Sequence, residues 1–93
     1  MHLSVISIEL YIKSSRSLKD KRSVLKSLKE RMRARFNVSV AETGKLDKWQ
    51  AAELAIAIVS NDRTRLSKEV DGIMGLVDGY VKVVVLDHHV EYL

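Results

Sequence analysis

Hydrophobic and polar residues alternate over residues 3–13, with Leu3, Val5 and Ser7 on one side and Ile6, Ile8, Leu10 and Ile12 on the other. A period of two carried by β-branched residues predicts a strand. Ser14-Ser15-Arg16-Ser17 interrupts it, and Ser17 followed three residues later by Asp20 has the form of a helix-capping box. From Leu18 the period becomes helical: at about 100° per residue, Leu18, Val24, Leu25, Leu28, Met32 and Phe36 share one sector. Nothing breaks a helix before Phe36. Asn37 to Ala41 alternates again, ending near Thr43-Gly44, and Gly44 to Lys48 reads as a polar turn. Trp49 to Val59 is predicted as a third strand, with Leu54, Ile56 and Ile58 on one face. Ser60-Asn61-Asp62 offers a second helix cap. Leu66, Val70, Ile73, Met74 and Val77 then keep the spacing of a buried helical face as far as Gly79. Tyr80 to Leu93 is the predicted last strand.

This order predicts an α+β fold: a ferredoxin-like β-α-β-β-α-β sandwich, a four-stranded antiparallel sheet with two helices on one face. The second and fourth strands should be its edges. At 93 residues, 46% of them apolar, the chain suffices for one modest core and is expected to form a single domain over 1–93. It has no cysteine, which removes disulfides and thiolate metal sites from consideration. No apolar run approaches the roughly 20 residues of a membrane span, and the first residues alternate at once instead of forming a signal segment. A soluble, cytoplasmic protein with no membrane partner is expected.

Charge adds the sharpest asymmetry. Residues 13–35 hold ten Lys or Arg against two acids, a balance of +8, while the other seventy residues hold six bases and ten acids, a balance of −4. Within the first helix, Lys19, Arg22, Lys26, Lys29 and Arg33 recur at spacings of three and four beside the apolar sector. Like charges at i, i+4 cost a helix about 0.2–0.5 kcal/mol per pair, and Arg22–Lys26 and Lys29–Arg33 are such pairs. A stripe that tolerates that cost points to an anionic partner, and its bases could neutralise several phosphates. A solubilising face balanced by acids on neighbouring elements is the alternative. Arg16, in the loop at the helix N-terminus, could assist. That loop lacks glycine, so capping is its expected role. The central strands offer Ser7, Glu53, Ala55 and Ala57 where base-stacking aromatics would be needed, which argues against single-strand readout on the sheet. Backbone contact with structured RNA through the helix is the surviving version.

No catalytic residues, metal site or cofactor is expected. His88 and His89 are adjacent on a strand and point to opposite faces. Glu53 and Asp62 have no legible carboxylate partner, and no nucleophile–base motif is present. Assembly is the second expectation. Tyr11, Val83, Val84, Val85 and Leu86 make an apolar surface on and beside the last strand, an exposed edge that needs cover. A homodimer through the sheet face or that edge would supply it.

Four spaced segments resemble a known family. Ser17-Leu18-Lys19-Asp20-Lys21-Arg22, Phe36-Asn37-Val38-Ser39-Val40-Ala41-Glu42, Trp49-Gln50 and Val59-Ser60-Asn61-Asp62 are together similar to the bacterial YlxP-like family, a domain-of-unknown-function group. The likeness runs in order over nearly the whole chain. It implies a ferredoxin-like fold and no established enzyme activity. Genes of the family often lie among those for ribosome maturation and translation factors, so the resemblance also implies a ribosome- or RNA-associated role. Lys45-Leu46-Asp47-Lys48 is more charged than that loop of the family leads one to expect.

Overall fold

The alternation and the helical periods fall where the sequence places them. In the computed structural model, which describes residues 1–93, the elements are β1 (His2–Ile12), α1 (Leu18–Arg35), β2 (Val38–Gly44), β3 (Ala51–Ser60), α2 (Arg63–Asp78) and β4 (Val83–Tyr92). The sheet order is β2-β3-β1-β4, with every neighbouring pair antiparallel, so β2 and β4 are the edges. This is the ferredoxin-like arrangement.

β1 and β3 pair from His2–Ser60 to Tyr11–Ala51. Their period of two puts Ile6, Ile8, Leu10 and Ile12 on the face covered by the helices, beside Ala52, Leu54, Ile56 and Ile58. Leu25, Leu28 and Met32 of α1 and Leu66, Val70, Ile73 and Val77 of α2 close over them in one 18-residue core. Burying each such aliphatic side chain is worth about 1.5–3 kcal/mol, so this face drives the fold. The opposite sheet face carries no helix.

Two boundaries differ from the sequence reading. The last strand begins at Val83, not Tyr80. Gly79-Tyr80-Val81-Lys82 is a turn in which the Tyr80 N–H donates to Val77 O (3.1 Å) and its carbonyl accepts from Val83 N (3.2 Å). Tyr80 is buried in the core, with the Arg31 guanidinium 5.0 Å from its ring centre; its hydrophobicity belongs to a turn that packs inward. The third strand begins at Ala51, because Trp49 and Gln50 lie in a bend whose Gln50 carbonyl accepts from Ile12 N. Each edge strand also holds one extra residue: the register slips past Thr43 in β2 and past Leu86 in β4. Bulges of this kind twist an edge away from further pairing.

Candidate nucleic-acid interface

α1 begins where Ser17, in extended backbone, accepts the Asp20 N–H on its hydroxyl (3.0 Å), while the Asp20 carboxylate accepts from Arg16 N (3.0 Å). It continues for 18 residues without Gly or Pro and stops at Phe36, which turns extended. Arg33 and Arg35 occupy the last turn, where the helix dipole favours cations. The stripe thus stands on a continuous, well-capped helix.

Arg22, Lys26, Lys29 and Arg33 line one open groove of about 390 Å³ between α1 and edge strand β2, floored by Leu25. Lys29 is half-buried and the other three are exposed. Lys19, also exposed, sits one turn nearer the N-terminus, and Arg16 projects from the preceding loop; neither lines the groove. No carboxylate lies within 4.0 Å of any of these six cationic groups. Only Arg33 has a polar contact, with Nη2 at 3.5 Å from Val40 O. Glu30 and Glu42 do reach the groove wall, although helical spacing alone places Glu30 elsewhere.

Glu42 is already committed. Its carboxylate accepts from Lys21 Nζ at 2.7 Å, and the same ammonium donates to Lys45 O (3.0 Å) and Ala51 O (3.2 Å). Lys21 is 1% exposed. Three acceptors satisfy its three protons, which is the condition for a lysine to be buried charged. One of those carbonyls belongs to Lys45, which is held at φ 57°, so the lysine also fixes a strained turn. The sequence reading missed this pair. Its signal is the spacing: Lys21 stands four residues before Leu25 and seven before Leu28, on the apolar face, and Glu42 continues the inward alternation of Val38 and Val40.

The apolar set on the last strand is not brought together. Val83 is buried in the core and Val85 packs against it from the helix side, because the alternation of β4 turns both inward. Tyr11 and Val84, partners in register on the open face, remain exposed, as does Leu86 in the bulge. The same face holds an unforeseen row of carboxylates: Glu9 stands directly opposite Glu53 on β3 and Asp87 on β4. Like charges directly opposite destabilise a sheet, and Lys45 Nζ, 3.3 Å from Glu9, offsets only part of this row. Glu53 therefore has carboxylate neighbours that only the strand register reveals. His88 and His89 pair with Ile8 and Ser7, on opposite faces.

A family model described as "Protein of unknown function (DUF503)" matches residues 3–90. The "Uncharacterized protein YlxP" of Bacillus subtilis (strain 168) is 37% identical over 75 residues, covering 81% of this chain and 82% of that protein. Among solved structures, the "De novo designed protein Foldit4" superposes with a TM-score of 0.55 at 14% identity, covering 98% of this chain and 96% of that one, a likeness of fold alone. A putative chlorite dismutase, TA0507, matches with a TM-score of 0.46 at 13% identity over 99% of this chain and 44% of its own.

Proposed function

The chain belongs to the DUF503 family, and from that premise we propose that it is a non-enzymatic module that grips the phosphate backbone of structured RNA, such as ribosomal RNA, along α1. One observation carries this reading: a single helix face presents five bases to solvent with no carboxylate within 4.0 Å of any of them. Neighbouring acids balance the stripe only in part, since Glu30 on the groove wall offsets one base of the four there. Glu42, the acid best placed to do so, is held by Lys21. Lys19 to Arg33 spans about 21 Å of helix at 1.5 Å per residue, enough to follow several phosphates. The open sheet face is a poor rival surface for RNA, since its row of three carboxylates repels phosphate and its centre offers no stacking ring.

The test is anisotropy of a labelled RNA hairpin across a salt series. Four or five neutralised phosphates give a log–log slope of about −3 to −4, which between 50 and 200 mM salt weakens binding about 100-fold. Reversing Arg22, Lys26 and Lys29 to Glu should abolish binding while leaving the circular dichroism spectrum unchanged. Affinity that survives the triple reversal removes α1 as the site.

The exposed pair Tyr11–Val84, with Leu86 beside it, favours one second reading, a homodimer that covers this end of the sheet. A symmetric face-to-face dimer must also bury the Glu53–Glu9–Asp87 row, which costs more than the small apolar patch returns unless bases meet it. A monomer-sized elution volume that stays constant over a 100-fold dilution excludes this reading.

A further inference from the structure

The end of α1 and the start of α2 enclose a second cleft, of about 460 Å³, that the stripe does not use. Arg35, Phe36 and Asn37 form one wall, and Asn61, Arg65 and Glu69 the other. Arg65 Nε pairs with Glu69 at 3.6 Å, which leaves Arg35, whose guanidinium lies 5.7 Å from the Phe36 ring centre, as the charge without a carboxylate partner. The side chains of Asn37 and Asn61 have no hydrogen-bond partner within the protein. The helix N-terminus is itself occupied, because Asp62 accepts from the N–H groups of Thr64 and Arg65. Recognition here must come from side chains.

Those side chains have a particular chemistry. A carboxamide sets a donor beside an acceptor, the pattern on the edge of a nucleobase. A guanidinium presents a fork that fits phosphate. The wall is also fixed in place. Phe36 seats against Gly72 so closely that a Cβ there would lie 2.8 Å from the ring Cζ. One surplus positive charge suits one phosphate, not a backbone run.

We propose that this cleft takes a single unpaired nucleotide of the RNA held along α1, with Arg35 on its phosphate and Asn37 and Asn61 on its base edge. The inference rests on the reading of α1 as the backbone contact. Arg33, the last base of the stripe, precedes Arg35 by two residues and so points about 200° away from it; the groove and the cleft lie on opposite sides of the end of α1, and the strand must round that end to enter the cleft.

The experiment compares a fully paired hairpin, the same hairpin with one bulged nucleotide, and free nucleoside monophosphates. The wild-type chain should bind the bulged hairpin about tenfold more tightly than the paired one, the size expected of one good base-edge contact. Asn37→Ala with Asn61→Ala should erase that preference without changing paired-hairpin affinity, its salt slope or the melting temperature. Equal affinity for the two hairpins, or a preference that outlives the double substitution, overturns the proposal. Free monophosphates bound as tightly as the bulge, with the two hairpins equal, would assign the cleft to soluble nucleotides and overturn it as well. A triple Glu variant that still binds both hairpins refutes the helix reading, while an asparagine-dependent bulge preference in that variant would keep the cleft. Binding of neither hairpin removes both.

Discussion

Lys21→Met keeps most of the buried stem and removes the ammonium. It leaves the Glu42 carboxylate, whose side chain is only 16% exposed, and the Lys45 and Ala51 carbonyls without their donor. Removing one partner of a buried ion pair costs about 3–5 kcal/mol. The residual exposure of Glu42 admits some water and sets the expectation at the lower end, about 3 kcal/mol. A domain of this length has about 5–14 kcal/mol in total at 0.05–0.15 kcal/mol per residue, so the loss is a large fraction of it. At about 4–8 °C per kcal/mol, the melting temperature should fall by about 12–24 °C. Urea denaturation followed by circular dichroism reads the same change as a lower midpoint with an unchanged slope. Lys21→Met with Glu42→Leu removes both charges and should recover most of the loss. The reasoning is refuted if the single Met variant lies within about 1 kcal/mol of wild type, or if the double variant is no more stable than the single.

The two helical glycines should respond oppositely to alanine. At Gly75 a Cβ meets nothing within 4 Å, so Gly75→Ala gains about 1 kcal/mol of helix propensity; at Gly72 it meets the Phe36 ring, so Gly72→Ala should destabilise. A urea midpoint that rises for both would show that the ring gives way. Asp62→Ala frees the N–H groups of Thr64 and Arg65 and should cost about 1 kcal/mol, with an unchanged melting temperature as the contrary result. In the Lys21→Met variant, at temperatures where it stays folded, the released Glu42 carboxylate faces Arg22, Lys26 and Lys29; RNA affinity should drop several-fold, and Glu42→Leu should restore it.

What could be read from the chain alone follows from how local each feature is. A strand needs only its period of two and a helix only its turn, so six elements and the basic stripe of α1 were visible in residue spacing. Tyr80 and Val81 read as strand because they are apolar, yet Tyr80 packs into the core beneath Arg31 while Val81 stays exposed in the turn that follows. The Glu9–Glu53–Asp87 row exists only once β1 is registered against both neighbours, and spacing along one strand says nothing of that. Lys21 lay in plain view on the apolar face of its helix. Its acceptors come from β2, the following loop and the first residue of β3, and only the tertiary fold brings those together. The cleft of Asn37 and Asn61 likewise needs two helix ends to meet.

The position of β1 between β3 and β4 has a consequence in time. Its register joins Ser4 to Tyr92, so β1 waits for β4, made after the other three strands, to complete its pairing. Closing so long a loop adds little to the equilibrium cost, because that cost grows only with the logarithm of length. It does slow folding, since distant contacts reward the chain only after the entropy of closure has been met. A nascent chain that has already formed α2 still holds β1, four of whose residues belong to the core, with one edge vacant, and that vacancy is where non-native pairing would begin. During synthesis the sheet can therefore be completed only when β4 has emerged, and until then β1 depends on the helices and β3 alone for cover.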